Sequence, residues 1–377
     1  MANQICEMLG IEFPIVAFTH CRDVVVAVSK AGGLGVLGAI GHSPEALEID
    51  LAWIEDELGG KPYGVDLVIP VRYVGQEEGG LDRKGTEALI PDEHQAFMDE
   101  MMDRYQVPDL PPRADKPTTT GLALTENRSM PLVDIALAHP IALIANALGP
   151  PRPDVVERAR ELGVKVAALA GKKAHAVRHA AAGADIIIAQ GYEAGGHTGD
   201  VASMVLVPEV VDAVAPVPVL AAGGIGRGRQ MAAAMALGAE GVWCGSVWLT
   251  TEESEVIPTI KDKFVGATSS DTIRSRNMTG KPARMLKSAW SEEWNRDDTP
   301  DPLPMPLQSQ LVARPQARIR NYAHASEGAA KLSQYFVGQV VGQASSVRPA
   351  GRVLLDIVDE FIDTVTDLNT RMSDLAD

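Results

Sequence analysis

The chain has 377 residues, 46% hydrophobic and 22% charged, with 50 acidic against 34 basic side chains and a formal net charge of −16. An acidic surface of that kind repels phosphate backbones, which excludes nucleic acid as an expected partner, and three scattered cysteines leave no disulfide framework or thiolate zinc site. With no basic-then-apolar leader and no apolar run of about 18–20 residues, neither secretion nor a membrane span is expected, and the cytoplasm is the expected location.

Short apolar, β-branched runs alternate with helical patterns along most of the chain, the signature of βα units around a buried parallel sheet. Residues 14–17 predict the first strand. A helix from Arg22 to Lys30 follows, stopped by Gly32-Gly33. Leu34 to Ile40 reads as the second strand. Ser43-Pro44 then supplies an N-cap and a first-turn proline for a helix reaching Leu58, before a third strand from Tyr63 to Ile69. Residues 71–135 break the rhythm with charge, Pro and Met, and read as an excursion over one barrel face with a helix near 92–105. The alternation resumes with strands at 141–147, 164–169, 185–189, 217–221 and 241–244. Between them fall helices at 153–162, 172–182 and 228–237, and a short one near 209–213. Eight strands in about 250 residues is the expected size of a closed (β/α)8, or TIM, barrel. On this reading residues 1–255 form the barrel. Residues 256–320 are polar, lack strand pattern and form a small cap of helices and loops. Residues 321–377 carry C-terminal helices, chiefly 327–368, that return to the barrel.

Gly33, Gly35 and Gly38 spell GxGxxG, but a helix precedes them and a strand follows. A dinucleotide fingerprint needs the opposite order, because the helix N-terminus meets the pyrophosphate; tight helix-to-strand packing is the expected role. The most informative stretch is Gln190-Gly191-Tyr192-Glu193-Ala194-Gly195-Gly196-His197-Thr198-Gly199, at the C-terminal end of the sixth strand, where barrels place active sites. Gly195 and Gly196 let the backbone approach a planar ring or a phosphate, and His197 can take or give a proton near neutral pH. The competing reading is a turn whose histidine only satisfies local hydrogen bonds. Ala222–Gly226 and Trp243–Ser246 put glycine-bearing loops after the seventh and eighth strands. That is a common barrel phosphate site, with backbone amides, a helix N-terminus and the Ser246 hydroxyl as donors. Arg227 and Arg229 read as solvated. His175 and His179 share a helical face as a zinc pair would, but without HExxH they read as a solvated face, and no metal is expected. Met98, Met101 and Met102 read as packing over the barrel. No Gly-x-Ser-x-Gly elbow supports a hydrolase triad.

Taken in order, Pro14–Ala17, Ala31-Gly32-Gly33-Leu34-Gly35, Gln190–Gly199, Ala222–Ile225, Gly245-Ser246 and Gly338-Gln339-Val340-Val341-Gly342 resemble the motifs of the nitronate monooxygenase family, over nearly the whole chain. The resemblance implies an FMN-dependent barrel oxidoreductase. It implies that Gln190, Gly195 and Gly196 meet the flavin or its ribityl chain, and that Gly223, Gly224, Gly245 and Ser246 hold the phosphate. His197 would stand over the flavin as base or substrate orienter, and Lys172 would reach the cofactor from the end of the fifth strand. Ala17, Phe18 and Asp66 would lie by the ring, and there the chain departs from its relatives. They usually carry Gln-Ala-Pro-Met where this chain reads Val16-Ala17-Phe18-Thr19-His20, and Asn where Asp66 stands. An Asp can still accept a hydrogen bond from the ring, but it brings a negative charge that an amide lacks.

The implied reaction is oxidation of an alkyl nitronate with O2 to a carbonyl compound and nitrite, the protein orienting the substrate and tuning the flavin. The same barrel with a Gly-Gly-His motif also resembles NAD(P)H-using flavin reductases of enoyl thioesters and quinones, which need no nicotinamide motif. A flavin-binding protein without activity is a third reading, against which the retained His197 argues. Expected partners are small molecules (a nitronate, or NAD(P)H with an acceptor), and a homodimer is compatible with the sequence. Fold alone licenses none of these reactions.

Overall fold

The computed structural model describes residues 3–69, 85, 87–111 and 126–373. Of the expected excursion over 71–135, residues 71–84, 86 and 112–125 lie outside the described residues. Eight parallel strands close a barrel in the order β1 (Ile15–Thr19), β2 (Leu34–Gly38), β3 (Tyr63–Leu67), β4 (Leu143–Asn146), β5 (Lys165–Ala170), β6 (Ile186–Gln190), β8 (Val219–Ala222) and β9 (Gly241–Cys244). A two-residue strand, β7 (Gly196–His197), lies outside the ring. The eight expected barrel strands are the eight found, with ends shifted by a residue or two. Closure is made by β1 against β9, where Ile15 pairs with Val242 and Ala17 with Cys244.

Strand alternation decides which side chains fill the ring. Val16, Leu34, Val36, Leu143, Ala145, Ile186, Ile188, Leu220 and Ala222 cluster inside it, with Phe18 packed against them. Ile15 and Ala17 face the other way, into the helix layer with Val24 and Val28. Register then puts Gly38, Asp66 and Gln190 on the inner face at the C-terminal ends of their strands, since Gly38 pairs with Asp66, Asp66 with Ala145, and Gln190 with Ala222. The far end is plugged by the helix Gln4–Leu9, whose Ile5 and Leu9 join the inner cluster and whose start is capped by Asn3.

Of the GxGxxG glycines, Gly33 and Gly35 serve helix-to-strand packing, as expected, whereas Gly38 makes room for the Phe18 and His20 side chains. A Cβ on Gly35 would lie 2.3 Å from the Val25 carbonyl oxygen and 2.5 Å from its Cα, so the helix Arg22–Lys30 can sit against β2 only over a glycine. The helix Pro44–Leu58 begins where proposed, with Ser43 Oγ accepting from the Ala46 amide.

Three expectations need correction. The short helix near 209–213 is a twelve-residue helix, Ser203–Val214. Pro208 reads locally as a helix start, but burial of Leu206, Val207 and Val210 in the layer outside the strands carries the turn before it. Second, residues 256–320 do contain strands. β10 (Thr272–Ser275) pairs antiparallel with β11 (Ala283–Leu286), and β11 pairs with β7. Four-residue strands show too little alternation to be read, and their third partner is far away in sequence. Third, Met98, Met101 and Met102 of the helix Asp92–Arg104 are buried as expected, yet against the cap residues Trp290, Trp294, Leu311 and Val312 rather than the barrel.

The C-terminal segment is not one continuous helical stretch. It has a helix at Glu327–Leu332, a turn of 3-10 helix at Gln339–Gln343, and a long helix at Ala350–Ser373. That last helix does return to the barrel: Leu354, Ile357 and Val358 are buried with Ile15, Val24 and Val242. All three cysteines are free and buried. Among the described residues no helix is long and apolar enough to cross a membrane.

Candidate active site

The loop leaving β6 is held from several sides. Gly191 donates from its amide to the Ala222 carbonyl at 2.9 Å, and the Glu193 carboxylate caps the helix Ser203–Val214 by accepting from the amide and hydroxyl of Ser203. Gly196 has φ +73°, a left-handed conformation that other residues rarely adopt. The close approach that Gly195 permits is to protein: a Cβ there would lie 2.7 Å from the Gly338 amide nitrogen. Gly338 in turn donates to Ser246 Oγ at 2.7 Å, and the Gln339 amide to the Glu193 carbonyl at 2.9 Å. The Gly338–Gly342 motif is thus a strap joining the loop after β6 to the loop after β9.

His197 is fixed by the small sheet, pairing with Ala283 of β11. Its Nε2 lies 2.8 Å from Thr279 Oγ1. The Thr279 hydroxyl donates to the Lys281 carbonyl at 3.2 Å, which leaves its oxygen to accept. That pattern assigns the proton to Nε2 and the lone pair to Nδ1. Solvent reaches the ring, but protein walls it in, including Phe336 at 6.3 Å between centroids. Desolvation by those walls, helped by the Lys281 cation, pushes the imidazole down to about 4, so it is neutral at pH 7.

The loops after β8 and β9 stand at adjacent strand ends. Gly223 and Gly224 take φ +95° and +72°. Among the described residues, nothing accepts from the amides of Gly223, Gly224, Gly245 or Ser246, so these donors suit an anion. The neighbouring helix Gly228–Ala236 does not supply its N-terminus as expected. Its Gly228 amide donates to Glu360, which also pairs with Arg227 and Arg229, and Gln230 takes the amides of Gly226 and Arg227. The two arginines are therefore ion-paired to the last helix.

Asp66 is buried on the inner face with Oδ2 unpartnered. Burial without a facing cation or donor pushes its carboxyl well above the usual carboxylate range. Burial therefore disfavours the negative charge expected from its sequence. In its protonated form the carboxyl can donate as well as accept. This unpartnered buried group and the uncommitted amides fit a flavin ring and phosphate. Phe18 stacks on Trp243 at 6.2 Å between centroids at the same end of the barrel. Ala17 presents only its backbone to this side. Lys172 is exposed and paired with Asp200 at 3.2 Å, just past the His197 loop.

Sequence reasoning missed two arginines. Buried Arg284 donates twice to the Tyr192 carbonyl, at 3.1 and 3.0 Å, once to Thr272 Oγ1 at 3.0 Å, and lies 4.4 Å over the Tyr192 ring. Arg274 donates to the Thr198 carbonyl at 3.0 Å. Neither pairs with a carboxylate among the described residues; both clamp backbone on either side of His197. Thr279 and Phe336 were missed for the same reason: each meets the loop across a long gap in sequence.

Two other readings change. His179 is buried, with Nε2 3.1 Å from the Leu169 carbonyl oxygen, so only His175 keeps part of the solvated face proposed for the pair. A cavity of about 410 Å³ borders Gly223 and Gly224 from the helix side, lined also by Val207, Leu237 and Gln343. His197, Phe18 and Asp66 do not line it, and the unsatisfied polar groups make the barrel mouth the candidate centre instead.

Residues 3–360 match the nitronate monooxygenase family. The chain is 62% identical over 370 residues to the "Putative monooxygenase Rv1533" of Mycobacterium tuberculosis, covering 98% of each. It is 30% identical over 357 residues to a "Probable nitronate monooxygenase" of Staphylococcus saprophyticus, covering 90% of this chain and 92% of the relative. The solved nitroalkane oxidase of Streptomyces ansochromogenes overlays with a TM-score of 0.79 at 25% identity, covering 97% of this chain and 100% of that one. With a closed (β/α)8 barrel and a Gly-Gly-His loop at its mouth, the chain belongs to the nitronate monooxygenase family and, with it, to the flavin-dependent oxidoreductases.

Proposed function

We propose that the chain oxidises alkyl nitronates with O2, using FMN held at the barrel mouth. The observation that carries this reading is His197: a neutral imidazole with Nε2 tied to Thr279 and Nδ1 without a hydrogen-bond partner among the described residues, on the loop that follows β6. The amides of Gly223, Gly224, Gly245 and Ser246 would take the phosphate, and the Ser246 hydroxyl hydrogen is left to join them because its oxygen accepts from Gly338. Asp66 and Gln190 would hydrogen-bond the ring, with Phe18 as an apolar wall, the Ala17 backbone beside it and Gly195–Gly196 shaping the loop above. Lys172 would anchor that loop through Asp200. Bound FMN supplies the two-electron acceptor that O2 then restores. His197 Nδ1 would take the α-proton of a neutral nitroalkane, or, once protonated beside an anionic nitronate, donate to a nitro oxygen.

The test is anaerobic stopped-flow reduction of the flavin by propyl nitronate, NADH and NADPH. Rapid bleaching by the nitronate alone supports the proposal. Bleaching by a nucleotide and not by the nitronate overturns it in favour of an enoyl or quinone reductase.

A further inference from the structure

The inner face of β1 runs Val16, Phe18 and then His20, a residue that the reaction above does not use. Alternation carries its side chain to the mouth side of the barrel. Gly38 makes the room: a Cβ there would lie 2.8 Å from His20 Cε1 and Nδ1 and equally close to the Phe18 ring. The His20 ring stands edge-on to Phe18 at 5.1 Å between centroids, and Gly38 pairs in register with Asp66. His20 therefore occupies the same rim as the residues proposed to face the flavin.

Its bonding fixes its chemistry. Nδ1 lies 2.8 Å from the Gly38 carbonyl oxygen, which can only accept. Nδ1 therefore carries the hydrogen and Nε2 the lone pair. Nothing among the described residues donates to Nε2, and the residue is open to solvent. The result is a fixed hydrogen-bond acceptor at the cleft. Nitronate oxygens are themselves acceptors, so the neutral ring offers them nothing at Nε2, and burial disfavours the imidazolium that could donate.

We propose that His20 is a specificity-determining residue whose Nε2 accepts a hydrogen bond from a hydroxyl or amide N–H elsewhere on the substrate. The site then takes a donor-bearing nitronate in preference to a plain alkyl one. This rests on the nitronate reading above. A single neutral hydrogen bond in a solvent-reached site corresponds to a preference of about tenfold in kcat/KM.

The experiment compares 3-hydroxypropyl nitronate with butyl nitronate, where a methyl replaces the hydroxyl, on the wild-type holoenzyme and on His20→Phe. Alongside, ¹⁵N NMR of histidine-labelled holoenzyme reads which His20 nitrogen is protonated. The proposal expects the hydroxyl compound to lead by about tenfold in the wild type, a ratio near one in His20→Phe, and protonation at Nδ1. Equal rates in the wild type, an undiminished ratio in the variant, or protonation at Nε2 overturns it. If neither nitronate is oxidised, the nitronate reading fails, and the NMR titration decides the role of His20. An Nε2 resonance that moves with the hydroxyl compound and not with the butyl one sustains it; no difference between the two overturns it.

Discussion

His197 reaches about 4 because protein walls and Lys281 disfavour its cation. An unperturbed histidine titrates near 6.5. The neutral, proton-accepting form is therefore present above about 4 and is lost only as pH falls through that value. The acid limb of kcat/KM should lie near pH 4 to 5, with a flat profile from 5.5 to 7.5; a limb near 6.5 would contradict the desolvated site. A bound anion stabilises the imidazolium, so the limb of kcat should sit higher than that of kcat/KM. His197→Ala should lower turnover by roughly 10²–10⁴-fold, the range for loss of a positioned acid or base. A second prediction concerns Asp66. Since burial disfavours its charged form, Asp66→Asn should retain FMN within about threefold of the wild-type Kd. Asp66→Ala, which loses the hydrogen bond, should weaken binding by about tenfold. Flavin fluorescence titration checks both. At this scale the sequence showed where His197 and Asp66 stand but not their charge states. The tautomer of His197 depends on Thr279, its shift on burial and Lys281, and the shift of Asp66 on burial, none of which has a local signature.

At the scale of elements, the His197 loop is half of a structure whose other half lies about 80 residues downstream, as the 82-residue separation of His197 and Thr279 shows. β7 has only two residues and is held by β11 and by Arg284. Arg284→Ala removes three charge-assisted bonds, two of them to one carbonyl, and leaves the Tyr192 carbonyl without them. It should destabilise the protein by about 3 kcal/mol in urea unfolding and increase loss of bound flavin on gel filtration. Unchanged stability and retention would show that the loop holds itself. The barrel strands were legible because each is a buried apolar run flanked by helix signals. The strands β10 and β11 were not, because they are short, half polar and meaningful only beside β7.

For the whole molecule, the helix Ala350–Ser373 is part of the barrel's outer layer. Leu354, Ile357 and Val358 are each nearly inaccessible to solvent. Burying three such side chains contributes roughly 5–8 kcal/mol, comparable to the whole net stability of a typical domain, about 5–15 kcal/mol. A chain ending at Pro349 should therefore accumulate as insoluble or protease-sensitive protein. A soluble truncated form with the wild-type melting temperature would contradict this. More finely, a Cβ on Gly228 would lie 2.2 Å from the Phe361 amide nitrogen. Gly228→Ala should thus push the last helix away and cost about 2–3 kcal/mol, the upper range for overpacking, read by the shift in urea midpoint. That the tail is helical was legible from its pattern. That it seats on Gly33 and Gly228 was not, because a glycine does not announce what it makes room for.

Closure of the ring by β1 against β9 also sets a timetable. A ribosome making about 5–20 residues per second takes on the order of 10–40 s to pass from the end of β1 to the start of β9. Through that interval one edge of β1 has no neighbour, and an open edge invites pairing with other chains. The amides after β9, Thr279 and the last helix come later still in the chain, so the two glycine loops at the ends of β8 and β9 stand side by side only once β9 has been made. The exposed first strand is therefore the interval's point of greatest vulnerability to aggregation.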